Sequence, residues 1–262
     1  MNISNQIIAS LDEFVQTIGD SQFVPQQKFL FEMIYGMIAS GSVVMADIGR
    51  HLEQGTELIH IEKRLSLNLQ SPRFDEQQVQ HQYLHHIADQ ITRNTTISVD
   101  IGDIRKDYAS KMENLCEVWD GSRREKATGY WLLQIEAHHN DGRRTGIYTD
   151  AWSQEAEDFA SRNRIVLEAI GRVAEAFGGK GVYIEDRGGD GQEIILGLDE
   201  LGVCYIVCQR GDRHVRMIGT SHDKSVRAVA QEVKLKGSID VWHRHRDGRW
   251  ELKHLRYGWC GV

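Results

Sequence analysis

The chain has 262 residues, 40% of them hydrophobic, and a formal net charge of −7; this is ample for one sizeable core and a smaller N-terminal unit. Four scattered cysteines (Cys116, Cys204, Cys208, Cys260), with no CxxC pair and no signal peptide, argue against a disulfide framework and for a reducing cytoplasmic setting. No apolar run reaches the roughly 20 residues that span a bilayer, so no membrane insertion is expected. The net acidity does not advertise nucleic-acid binding, although local basic clusters decide contact with phosphate.

Residues 1–92 read as helical. Ile7, Ile8, Leu11, Phe14, Val15 and Ile18 recur at helical spacing, and Pro25 opens a second run from Phe29 to Ile38. Ser40-Gly41-Ser42 precedes a short pattern, Val43 to Leu52, and a further helix holds Ile61 to Leu69 and ends before Pro72. Small residues at a turn between short apolar helices are what a helix-turn-helix requires. Lys63 and Arg64 give the last helix a small basic face. The same residues also describe an ordinary helical bundle with a solvated Lys-Arg pair.

From 93 to 210 strands alternate with helices. Ile97, Val99 and Ile101 point one way on the first strand while Ser98 and Asp100 point the other. A strand from Gly129 to Ala137, the turn Asn140-Asp141-Gly142 and a strand from Arg143 to Thr149 form a hairpin. Ser153 offers an N-cap, with Glu155, Glu157 and Asp158 near the positive end of the helix dipole. Phe159, Val166, Ile170, Val173 and Phe177 form that helix's apolar stripe, and Gly178-Gly179 ends it. Strand Val182 to Ile184 delivers Asp186, a short helix covers Glu193 to Leu201, and Val203 to Cys208 form a last strand. Cys204 and Cys208 share one side of that strand and are expected to pack as small apolar groups. A three-strand meander, then helix, strand, helix and strand, is the ribonuclease-H-like order: α/β, a mixed sheet with helices on its faces.

Residues 211–262 read as a β-rich insertion, in which Val229, Val233, Leu235, Ile239, Val241, Trp250, Leu252 and Leu255 alternate with polar residues around a hairpin turn at Asp247-Gly248. The paired histidines His85-His86, His138-His139 and His243/His245 lack cysteine or carboxylate partners at zinc-like spacing and read as solvated surface groups. Arg187-Gly188-Gly189-Asp190-Gly191 lacks the Gly-Lys-Ser/Thr ending of a phosphate-cradling loop.

The chemistry rests on Asp100 and Asp186, each at the end of a predicted strand. Mg²⁺ prefers hard carboxylate oxygens, and a pair of such ions supports in-line phosphoryl transfer. Two plainer readings stand beside this one: Asp100 or Asp103 caps a following helix, or Asp186 makes a surface ion pair beside Arg187.

In order and type, several segments resemble the DDE-type transposases of bacterial insertion sequences, whose catalytic core is ribonuclease-H-like. Val99-Asp100-Ile101-Gly102-Asp103-Ile104-Arg105-Lys106 is similar to the family's first-aspartate strand. Lys111 to Leu115, Asp120-Gly121-Ser122 and Gly129-Tyr130-Trp131 resemble the segment that follows. Ile184-Glu185-Asp186-Arg187-Gly188-Gly189-Asp190 resembles the second-aspartate motif, and Tyr205-Ile206-Val207 with Arg210 the next strand and its basic ending. Ser40 to Val43 and Lys63-Arg64-Leu65 resemble the N-terminal DNA-binding region.

The resemblance implies cleavage and joining of DNA strands at transposon ends. Asp100 and Asp186 would be the catalytic metal ligands for Mg²⁺, with Mn²⁺ as its substitute, and Asp103 a supporting carboxylate. Lys63, Arg64, Arg210 and Arg213 would contact phosphate, positioning DNA without reading its sequence. The partners implied are transposon-end DNA and a second copy on the paired ends, in a bacterial cytoplasm and at the nucleoid when DNA is bound. Gly102 stands where relatives often place a hydroxyl residue. The family's third ligand, a glutamate in a Tyr, Arg, Glu, Lys signature on a late helix, has no match; Glu232 and Glu251 are expected outside any suitable helix. The expectation is a transposase truncated before that glutamate. The alternatives are a non-catalytic DNA-binding remnant, or a ribonuclease-H-like nuclease unrelated to transposition.

Overall fold

The computed structural model describes residues 3–52, 55–109, 111–245 and 249–257; the predicted turn at Asp247-Gly248 and Cys260 lie outside them. The chain divides into two units, Met1–Ile184 with Leu196–Tyr205, and Glu185–Ile195 with Ile206–Val262.

Five helices open the first unit: α1 (Ile3–Ile18), α2 (Val24–Ser40), α3 (Met45–Gly49), α4 (Leu58–Leu69) and α5 (Glu76–Ile87). Leu11, Val15 and Ile18 of α1 pack with Leu30 of α2, whereas Ile7 and Ile8 are exposed, so the expected α1 stripe is buried only in its C-terminal half. Pro25 sits in the first turn of α2, where its missing N–H has no intrahelical bond to lose. Gly41 ends that helix in the left-handed region (φ 64°), with its N–H on the Met37 carbonyl. The second cluster joins α2, α3 and α4 through Phe29, Ile48, Ile61 and Leu65, each burial worth roughly 1.5–3 kcal/mol. Gly36 lets α3 approach α2 closely, since a Cβ there would lie 2.4 Å from Cγ2 of Ile48. Asp75 caps α5 by accepting from the Gln78 N–H.

A mixed sheet follows, of β1 (Thr96–Arg105), β2 (Cys116–Asp120), β3 (Glu125–His138), β4 (Arg144–Trp152), β5 (Val182–Glu185) and β6 (Cys204–Val207). The order is β2-β3-β1-β5-β6, with β4 also on β3. β3 pairs antiparallel with β1 without a break from Thr96↔His138 to Arg105↔Gly129. Its other edge takes β2 at one end and β4 at the other. Val182, the first residue of β5, donates its N–H to the carbonyl of Thr95, just before β1, at 2.9 Å. Running antiparallel from that bond, β5 would leave β1 behind; pairing with it requires the same direction.

Helix α6 (Arg162–Ala176) packs against β4 and buries Val166, Ile170 and Val173. It starts later than its sequence suggests. Ser161 is the N-cap, accepting from the Arg164 N–H, while Ser153 accepts from the Glu155 N–H in a local turn. Phe159 stacks on Trp152, with centroids 5.4 Å apart and planes at 7°, and Trp152 in turn on Trp131. That aromatic stack holds the chain off the helix until Ser161. Strand β2 is a further departure, an edge strand with no counterpart among the elements expected from the sequence. Cys204 and Cys208 are exposed rather than packed, because β6 turns its alternate residues outward.

Helix α7 (Gln192–Glu200) precedes β6. The second unit adds a two-stranded pair, β7 (His214–Arg216) with β8 (Asp223–Ser225), then helix α8 (Val226–Glu232) and the hairpin of β9 (Gly237–Arg244) with β10 (Trp250–Tyr257). The β-rich expectation for 211–262 therefore needs correction at α8: Ser225 caps it through the Ala228 N–H, and Val229 is buried on a helix rather than a strand.

Candidate functional site

Asp100 lies in the middle of β1, not at its end, and among the described residues the next element is strand β2, not a helix for it or Asp103 to cap. Strand alternation buries Ile97 and Val99 on one face and leaves Asp100 exposed on the other. Across β3 its partner is Gln134, flanked by the pairs Ser98↔Glu136 and Gly102↔Leu132. Ser98 Oγ lies 2.9 Å from Nε2 of His138 and donates to the Glu136 carbonyl. Asp100 thus stands on a predominantly polar face. The unbroken register puts Asp103 on the opposite face, across from Trp131, so it does not back Asp100.

Asp186 directly follows β5. It is exposed, with φ −74° and ψ −168°, and Oδ1 accepts from the Gly188 N–H at 2.6 Å, capping the single 3₁₀ turn Arg187–Gly189. The turn is tight because Gly189 lies on the Glu185 side chain; a Cβ at 189 would fall 1.8 Å from its Oε2. Asp190 closes this segment and is buried. Burial alone would raise its pKa, but the Arg210 N–H at 3.1 Å and the Arg213 Nη2 at 3.2 Å outweigh it and hold the carboxyl below its ordinary value. Asp190 was visible only as the acidic residue of a motif; the structure makes it the anchor of Arg210 and Arg213.

The predicted phosphate contacts divide. Lys63 is exposed on α4. Arg64 places Nη1 2.8 Å from both carboxylate oxygens of Glu32 on α2 and is committed to that buried acid. Arg210 and Arg213 are drawn to Asp190. Residues 1–92 carry five Lys or Arg against eleven Asp or Glu, an electrostatic balance that repels phosphate outside local basic contacts. Glu232 ends α8, contrary to expectation, with Lys224 Nζ on its two oxygens at 2.8 and 2.6 Å. Glu251 is on β10, 2.8 Å from Nε2 of His245.

Sequence reasoning also missed an ion cluster at the far end of β1. Arg105 reaches Asp107, Asp120 at 3.1 Å and Glu125 at 2.6 Å. Asp120 additionally accepts from Ser122 Oγ and the Ser122 and Arg123 N–H groups, and these bonds, led by the Ser122 hydroxyl, hold it well below the usual carboxylate range. Only the alternating charges of 117–126 hinted at this knot.

Among the described residues, no group of three or more His, Cys, Asp or Glu is arranged to hold a metal ion, and no helix is long and apolar enough to cross a membrane. No protein-family model matches the chain, and no curated protein matches its sequence.

Proposed function

We propose that the chain carries the catalytic core of a DDE-type insertion-sequence transposase, built on a ribonuclease-H-like sheet and acting on transposon-end DNA. The observation that carries this reading is that β1 and β5, the strands bearing or leading to Asp100 and Asp186, are neighbours in one sheet. Without the edge strand β2, the order β4-β3-β1-β5-β6 is third, second, first, fourth, fifth, which a meander followed by two helix-linked strands produces.

Direction and register support the pairing. The Val182–Thr95 bond starts β5 alongside the beginning of β1, and Asp186 is the residue that directly follows β5. Gly181 faces Ile97, since a Cβ there would lie 2.4 Å from Cδ1. Alternation then puts Tyr183 on the face of Ile97.

The donors suit Mg²⁺ or Mn²⁺: both are exposed carboxylates, and Asp186 Oδ2 is left over once Oδ1 has accepted from Gly188. When bound, a pair of such ions would supply the charge that activates the attacking oxygen and stabilises the leaving one. In this reading Asp100 and Asp186 supply its protein oxygens, while Lys63 is the candidate phosphate contact left exposed by its neighbours.

The test is Mn²⁺ titration of the purified chain, with nicking of DNA carrying insertion-sequence ends as a second readout. Asp100→Ala and Asp186→Ala should each weaken Mn²⁺ binding about tenfold or more. Unchanged affinity in both variants would remove the metal site and the reading with it. End-specific DNA binding without nicking would identify a non-catalytic remnant, and cleavage indifferent to end sequence a nuclease of another kind.

A further inference from the structure

We infer that His81 and His85 on α5 form a two-point chelate for a borderline divalent transition ion, of which Zn²⁺ is the natural probe. The two residues are one helical turn apart, at i and i+4, which stacks them on one face. Their Nε2 atoms are 3.1 Å apart and their ring centroids 4.3 Å. The two Nε2 atoms face each other, and a neutral imidazole offers its unprotonated ring nitrogen as a metal ligand. A metal ion set between them is bound by both Nε2 atoms, any proton on those nitrogens being released to solvent, since neutral imidazole suits zinc, copper and nickel.

The surroundings are those of a site rather than a flat surface. Both rings line a cavity of about 370 Å³ between α5 and α6, with Asp75 and Glu175 among its other walls. Arg172 lines it too and limits the negative charge gathered there. Water would complete the coordination, because no third His, Cys, Asp or Glu stands within ligand reach of the pair among the described residues. His86, the next residue, belongs to a different environment: its ring lies edge-on to Phe14 at 5.6 Å. The chelate is independent of the aspartates on the sheet, and its ligand chemistry is different: nitrogen donors for a borderline ion, against oxygen donors for a hard one.

The test is calorimetric titration of the full chain with Zn²⁺ in the presence of excess Mg²⁺, which occupies carboxylate sites. One equivalent should bind, weakened about tenfold or more in His81→Gln and in His85→Gln, because each removes the intramolecular second ligand, and unchanged in His86→Gln. Both chelating rings are exposed, so neither substitution opens the core. As a readout free of variants, the imidazole resonances of two histidines should move together up to one equivalent in the unaltered chain. An equivalent that survives in both His81→Gln and His85→Gln, an equal loss in His86→Gln, or the absence of a zinc-dependent pair of shifts would overturn the inference.

Discussion

Val182 donates its backbone N–H to the carbonyl of Thr95 at 2.9 Å, and this one bond fixes where β5 begins alongside β1. It sits beside Gly181, whose φ of +99° few other residues adopt and whose missing side chain makes room for Ile97. Gly181→Ala should therefore destabilise the protein by about 2–4 kcal/mol, combining backbone strain with overpacking. Chemical denaturation would show it as a lower midpoint at unchanged slope. A loss below about 0.5 kcal/mol would mean that β5 can shift without penalty.

The Glu32–Arg64 pair makes Arg64 a structural residue. Removing it leaves a buried carboxylate whose remaining ion-pair partner among the described residues is Lys28, at 3.5 Å from Glu32 and itself mostly exposed. Arg64→Ala should cost about 1–2 kcal/mol, discounted for the partial exposure of the guanidinium. Lys63→Ala should stay within about 0.5 kcal/mol. Thermal unfolding of the two variants side by side decides between a structural and a phosphate-binding Arg64.

Asp120 gives the stability a defined acid dependence. Its folded-state pKa is depressed, so its contribution is fully present above the unfolded value of about 3.9 and is lost as pH falls toward the folded one. The unaltered chain should be more stable than Asp120→Asn at neutral pH, and the gap should narrow as pH drops below about 4. Urea midpoints at pH 7, 5 and 3 measure it; a gap independent of pH would reject the ion cluster as its source.

Asp190 should behave unlike Asp186, four residues before it. Asp190→Ala frees the Arg210 N–H and the Arg213 guanidinium. Amide hydrogen exchange at Arg210 should accelerate, and limited proteolysis should open the segment 206–213. Asp186→Ala should leave both measurements where they are. Equal acceleration in the two variants would show that the 3₁₀ turn, not the buried carboxylate, organises this segment.

The sequence was readable where structure is local. Alternation of Ile97 and Val99 with Ser98 and Asp100 gave the two faces of β1, Asn140-Asp141-Gly142 gave the β3–β4 turn, and Gly178-Gly179 gave the end of α6, where Gly179 donates to the Ala174 carbonyl. It failed where the deciding partner is distant or the element short. Glu32 lies 32 positions before Arg64, and Asp190 lies 20 before Arg210, so no window around either arginine shows that it is engaged. Among the inward residues of β2, Cys116, Val118 and Asp120, only the first two are apolar, too few for a period to emerge. Ser153 and Ser161 look alike as caps, and the choice between them rests on a ring stack that periodicity does not encode. For the candidate site, both aspartates were legible as residue types on or beside strands, but the parity that separates Asp103 from Asp100 needed the unbroken register with β3.

The excess of acid over base in residues 1–92 also dictates how any duplex held there would answer to salt. Each phosphate met by a lysine or arginine releases counterions, and log K then falls with log salt at about −0.9 per contact. With Arg64 committed to Glu32, Lys63 is the one of the two expected contacts in this region that can add to the slope, by about −0.9. Added salt screens the repulsion from the eleven carboxylates at the same time, which flattens even that.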